Sequence, residues 1–273
     1  MSVIGTSLVS KNLSVSELCF AAAAMGAEAA VIEARTTGPL GTIKAFNEKG
    51  WLALRAHSDC NIMSPGRKVL LASRHYAVRL MGWADSVGAG SIVIDAGFCS
   101  SPAYDGGRLL SASLRSIARE SKSGASLLIE NGHRHDNGSM SSIRHAIDMA
   151  EDNRFGMHLN LTRAFAFGYT LEDLCSIDKT HVRSVQISLP SEKMHAGCGF
   201  VDITDLGGCC WEPSEVRQLI QHFENLPIIV RSTCVHDWAL IDSGNWASIS
   251  VIRDNNLAIS DGKNNSLGEV ERS

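Results

Sequence analysis

The stretch Glu130-Asn131-Gly132-His133-Arg134-His135-Asp136 packs two histidines and two acids into seven residues. Imidazole and carboxylate together are donors for a divalent metal, although the same composition also makes a solvated polar loop. Glu130 closes the apolar run Ser-Leu-Leu-Ile, where a carboxylate is costly unless it is paired, hydrogen-bonded or on a metal. The alternative is an ordinary strand-end acid facing solvent. His57 ends another apolar run, Leu52 to Ala56, and precedes Ser58-Asp59. A lone histidine there fits a satisfied structural side chain as well as a ligand. Cys209-Cys210 reads most simply as a small packed pair.

Eight short β-rich runs must position these groups. They start at Val3, Ala30, Leu52, Ser91, Ser126, Gly156, Val185 and Ile228. Spread over 273 residues they recur about every 34, close to a strand plus a crossover helix. Amphipathic segments lie between them: Val15 to Met25, Val69 to Val87, Leu109 to Glu120, Ile143 to Glu151, Leu171 to Ile177 and Ser214 to Phe223. Gly26, Gly88 and Gly124 stand where left-handed C-caps belong. Buried strands alternating with helices imply parallel pairing, and eight units favour one closed (β/α)8 barrel over an open doubly wound sheet. The barrel is expected over residues 1–253, with a polar tail over 254–273. In such a barrel the working residues project from the C-terminal strand ends and the loops after them. The strand ends supply Glu33, His57, Asp95, Glu130, Asn160, Gln186 and Arg231; nearby loops add Asp59, His133, His135, Asp136, Arg163 and His195.

Composition narrows the classes. Lys plus Arg is 25 against 29 for Asp plus Glu, a formal net charge of -4, so no global basic footprint for nucleic acid exists. Any such role rests on a local patch, for which Arg67, Lys68, Arg74, Arg134 and Arg163 are candidates. The 8 cysteines are scattered without a C-x-x-C pair, and no window reaches the roughly 18 apolar residues of a membrane span. The expectation is a cytoplasmic chain with reduced thiols and no membrane partner.

The strand-end residues and their neighbours resemble the endonuclease IV (apurinic/apyrimidinic endonuclease) family of xylose-isomerase-like barrels. The resemblance rests on Ala164-Phe165-Ala166-Phe167-Gly168-Tyr169-Thr170-Leu171, on His57 with Asn61-Ile62-Met63-Ser64-Pro65, and on Leu127-Leu128-Ile129-Glu130-Asn131. Gly197-Cys198-Gly199 and the step from Gly88-Ala89 to Asp95-Ala96-Gly97 add to it. That family builds a trinuclear zinc site at these strand ends. Carried over, His57 and Glu130 survive as ligands and Asp95 replaces a histidine. Asn160 and Arg163 replace an aspartate and a histidine, Gln186 a histidine, and Arg231 a glutamate. Three zinc ions need close to nine ligands with bridges, so the full cluster is not expected. Arginine cannot act as a ligand, and a like charge near 4 Å costs roughly 4 kcal/mol at an effective dielectric of about 20.

Two readings follow. In one, the phosphodiesterase site is largely lost and Arg163, Arg231, Asn160 and Gln186 hold a phosphate- or carboxylate-bearing ligand, a nucleic acid or a sugar phosphate, with Glu130, His57 and Asp95 around it. The arginines could equally be structural partners of Glu130 and Asp95. In the other, an active hydrolase or sugar isomerase keeps a rebuilt site with one zinc or manganese ion on His57, Asp95 and Glu130, helped by His133, His135 or His158.

Overall fold

The computed structural model describes residues 4–8, 15–24, 27–33, 50–57, 59–99, 105–132, 139–166, 168–187, 189–190, 200–201 and 213–230. Arg231, His133, His135, Asp136, Arg134, His195, Gly26, Cys209, Cys210, the Gly197 to Gly199 motif and the 254–273 segment lie outside these.

Eight parallel strands close on one another: β1 (Ile4–Leu8), β2 (Ala29–Glu33), β3 (Trp51–Arg55), β4 (Ser91–Asp95), β5 (Ser126–Glu130), β6 (Phe155–Asn160), β7 (Val182–Ile187) and, after two short strands, β10 (Ile228–Val230). β10 pairs with both β7 and β1, which closes the barrel. Each expected strand start falls in or beside one of these elements. The expected barrel is therefore found. A separate antiparallel pair, β8 (Leu189–Pro190) and β9 (Phe200–Val201), follows β7.

The helices are α1 (Val15–Ala24), α2 (Arg67–Val87), α3 (Gly106–Glu120), α4 (Met140–Ala150), α5 (Leu161–Ala166), α6 (Leu171–Cys175) and α7 (Pro213–His222). Six of them match the amphipathic segments read from the sequence. The exception is α5, a single short helix directly after β6. Gly88 caps α2 with φ 74°, the left-handed value that a residue without Cβ adopts freely. Gly124 does not cap α3: that helix ends at Ser121, and the Gly124 amide instead donates to Asp85 Oδ2 at 3.0 Å. At α4 the left-handed cap is Glu151, with φ 53°.

Strand side chains alternate between two faces, and the packing sorts them cleanly. Ala30, Ile32, Leu52, Leu54, Ile92, Ile94, Leu127 and Ile129 pack in one large cluster with helix residues such as Leu80, Leu114 and Ile147. The intervening Ala29, Val31, Ala53, Val93, Leu128 and Ile229 form a smaller cluster of their own, the apolar filling of the barrel interior. This interior is narrow. A Cβ on Gly5 would lie 2.1 Å from the Ala29 carbonyl oxygen.

The alternation decides what stands above the filling. Two residues beyond Val31, Ala53, Val93 and Leu128 come Glu33, Arg55, Asp95 and Glu130, so the inward face turns from apolar to charged at the C-terminal ends of four successive strands. Register sets neighbours side by side: Glu33 beside Arg55, Asp95 beside Glu130, Glu130 beside His158, His158 beside Ser184 and Asn160 beside Gln186. The β6–β7 register shifts between Met157 and His158, a local irregularity of the kind that re-aims side chains near sites. Among the described residues no helix is long and apolar enough to cross a membrane.

Candidate functional site

Glu130 is the centre of the strand-end cluster and is fully buried. Its Oε2 accepts from Arg55 Nη1, its Oε1 accepts from Asn160 Nδ2 at 2.8 Å, and Arg163 Nη1 stands 3.5 Å from Oε2. Burial alone would raise its pKa. The Arg55 and Arg163 guanidinium groups and the Asn160 amide outweigh that effect and hold the carboxyl far below the usual carboxylate range.

Arg55 reaches this point from the end of β3, and its Nη2 donates to Gln186 Oε1 at 3.0 Å and lies 3.4 Å from His158 Nε2. His158, also fully buried, places Nδ1 2.7 Å from Ser184 Oγ. Arg55 can only donate, so we assign the Nε2 lone pair to face it and the ring proton to Nδ1, given to Ser184. Burial pushes the imidazole down to about 4, only partly opposed by the Glu130 charge. It is therefore neutral at pH 7.

Asp95 and Arg163 form the outer edge. Arg163 Nη1 donates to Asp95 Oδ2 at 2.5 Å and to the Asn131 carbonyl at 3.2 Å. The Asp95 side chain keeps 34% of its surface exposed, against 14% for Arg163 and none for Glu130. Burial would lower the Arg163 pKa, but Glu130 and Asp95 overcome it and raise the guanidinium further. Asn131 and Asn160 lock the backbone beneath: Asn160 N donates to Asn131 Oδ1 at 2.7 Å, and Arg163 N donates to Asn160 Oδ1 at 3.1 Å. Every hydrogen bond of the Arg163 side chain found among the described residues uses Nη1. Its Nε and Nη2 have no partner there.

The candidates read from the sequence thus divide. Glu130, Asp95, Arg163, Asn160 and Gln186 come together. His57 does not join them: its side chain is 42% exposed and its Nδ1 lies 3.2 Å from Asp59 Oδ2. Arg231 lies outside the described residues. Arg67 and Lys68 are exposed at the start of α2, while Arg74 donates from Nε to Ser113 Oγ at 3.0 Å, which ties α2 to α3. His158, a helper in the metal reading, stands in the cluster, and Arg55 and Ser184 join it although neither is among the candidates read from the sequence. The signal was present: Arg55 breaks an apolar strand in the same way as Glu130 does, and it shares the inward phase.

The described residues do not fit a divalent ion at His57, Asp95 and Glu130. Both Glu130 oxygens already accept hydrogen bonds, two guanidinium groups flank them, and no group of three or more His, Cys, Asp or Glu side chains among the described residues is placed to hold a metal. Nor are the buried Cys19 and Cys60 thiols nucleophiles. Burial raises Cys19 to about 12 and Cys60 to about 11.

No protein-family model and no curated protein matches the sequence. Solved structures do match across nearly the whole length. An L-ribulose 3-epimerase aligns at 13% identity and a TM-score of 0.69, covering 100% of both chains. Endonuclease IV from Thermus thermophilus aligns at 15% identity and 0.71, covering 93% of this chain and 99% of its own. The 3-keto-D-glucoside 4-epimerase of E. coli aligns at 16% and 0.62, covering 93% of this chain and all of its own. At such identities the likeness is one of architecture. Eight parallel strands, their helices and these neighbours give the chain the xylose-isomerase-like (β/α)8 barrel fold.

Proposed function

We propose that the protein binds a small sugar-type molecule carrying a phosphate or carboxylate at the strand-end mouth, and that it does so without a divalent metal on His57, Asp95 and Glu130. The observation that carries this reading is the edge of Arg163, Nε and Nη2, that has no partner among the described residues. Nη1 is fixed between Asp95, Glu130 and the Asn131 carbonyl, so the plane of the guanidinium is set. Nε and Nη2 then form a preoriented fork, and two parallel N–H donors match two oxygens of a phosphate or carboxylate. Asp95, the most exposed acid of the group, and the amides around it offer partners for sugar hydroxyls.

A ligand panel tests this: pentose and hexose phosphates, sugar acids, the matching neutral sugars and an abasic DNA duplex, read by calorimetry and by thermal shift. Anionic sugars are expected to bind the wild type, neutral sugars at least tenfold more weakly, with Arg163→Ala losing the preference and Arg163→Lys keeping part of it. Failure of every anionic sugar, or equal binding by Arg163→Ala, removes the proposal. Strong, salt-sensitive binding of the abasic duplex would replace it with a nucleic-acid reading.

A further inference from the structure

We propose that the Arg55 guanidinium is a built-in cation filling a metal-type donor pocket made by Glu130 Oε2, Gln186 Oε1 and His158 Nε2. These atoms come from three adjacent strands, β5, β7 and β6, and all three face the two terminal nitrogens of Arg55. A carboxylate oxygen, an amide oxygen and an imidazole nitrogen are a donor set that a divalent first-row cation accepts. In the tautomer assigned above the histidine is prepared as a metal-binding histidine is: a buried hydroxyl, Ser184 Oγ, accepts the hydrogen bond of Nδ1–H, and the Nε2 lone pair is directed inward beside Gln186 Oε1.

The pocket is also one that must hold a positive charge. Glu130, His158, Ser184 and Gln186 are each at most 1% exposed, so the anion cannot be neutralised by water. Arg55 stands above the apolar filling at the end of β3, and its Nε is buried with no hydrogen-bond partner among the described residues. The side chain is thus held by what its terminal nitrogens touch. This inference is independent of the ligand reading for Arg163, because its test uses no sugar and no anion.

The test removes the guanidinium from the full chain and asks whether another cation takes its place. Arg55→Ala is expected to unfold at lower temperature than the wild type. About 1 mM cobalt(II) or zinc(II) should then raise its midpoint by about 3 °C or more while leaving the wild type unchanged. Methylguanidinium should also restore part of the loss. Cobalt(II) should give a visible absorption band with Arg55→Ala that is absent from the wild type and from Arg55→Ala/His158→Ala. An Arg55→Ala protein as stable as the wild type overturns the proposal, as does one that gains neither stability nor a cobalt band. Should Arg55→Ala not fold, Arg55→Met/Glu130→Gln decides, since it removes both charges at similar volume. A folded double variant supports the assignment of Arg55 as the cation, and an unfolded one overturns it.

Discussion

The barrel carries an arginine–acid assembly at each end, and they are built differently. At the N-terminal side, just before β6, Arg154 uses all three of its guanidinium nitrogens. Nε reaches Asp152 Oδ1 at 3.0 Å, Nη1 the Ser121 and Ser123 carbonyls at 3.1 and 2.8 Å, and Nη2 Asp152 Oδ2 at 2.6 Å and the Ala118 carbonyl at 3.1 Å. The hydrogen bonds of Arg154 lower the Asp152 pKa, and Asp152 in turn raises that of Arg154. This assembly ties the open carbonyls at the end of α3 to the start of β6. At the C-terminal end, Arg163 is fixed by one nitrogen and leaves its other edge without a described partner. A structural arginine completes its fork, whereas one poised for a ligand keeps part of it free. The usual division of a (β/α)8 barrel into a stability face and a working face agrees with that contrast.

The comparison breaks first at Glu130. Glu130→Ala leaves Arg55 and the inner side of Arg163 without their common anion in a buried setting, and breaking a buried pair in this way costs about 3–5 kcal/mol. Urea denaturation at pH 7 should read that loss. A loss under about 1 kcal/mol would mean that the network is far more solvated than its burial implies.

Next in size is a pH effect confined to the C-terminal end. The folded-state pKa of His158 is pushed down to about 4 from 6.5, so between these values the unfolded chain binds a proton that the folded chain refuses. Stability present above pH 6.5 is therefore lost as pH falls toward 4, by about 1.4 kcal/mol per unit and about 3 kcal/mol in all. The depressed Glu130 carboxyl acts in the same direction, its contribution fading below the ordinary carboxylate range as pH falls through the folded-state value. Denaturant midpoints between pH 7 and 4 should show the slope, and His158→Gln should flatten it over that window.

Arg154→Ala should cost about 2 kcal/mol, since several carbonyl contacts and one half-buried pair are lost together. Its measured ligand binding should not change. A loss of binding at Arg154→Ala would abolish the distinction between the two ends.

How much of this could be read from the sequence follows from the same physics. The eight strands were legible because strands buried on both faces read as short apolar runs, and Gly88 was legible because a left-handed cap favours glycine. Gly124 misled because α3 stops at Ser121, before the glycine. Glu130 announced itself as a charge in an apolar strand. Arg55 meets the same criterion, but the run read from the sequence extends to Ala56 and gives His57, two residues on, as the strand end. The inward phase of β3 supplies Arg55 to the cluster, whereas His57 lies past the last paired residue and turns to Asp59. Arg163 was legible as a cation at the mouth, but not which of its nitrogens would be engaged. That depends on α5, a six-residue helix with no amphipathic pattern long enough to see.

The smallest expected stability change is the most discriminating. In Arg163→Ala, Glu130 keeps Arg55 and Asn160, and Asp95 is exposed enough to be hydrated, so the cost should be about 1 kcal/mol. If the open edge is a ligand site, the same variant loses most of its affinity for anionic sugars, so binding and stability respond in opposite proportion to their responses at Arg154. Paired denaturation and calorimetry on both variants measure the two quantities on one protein. A cost at Arg163 as large as that at Arg154, with no binding to lose, would make the C-terminal assembly a second structural clamp and the open fork a consequence of crowding at the β4, β5 and β6 ends.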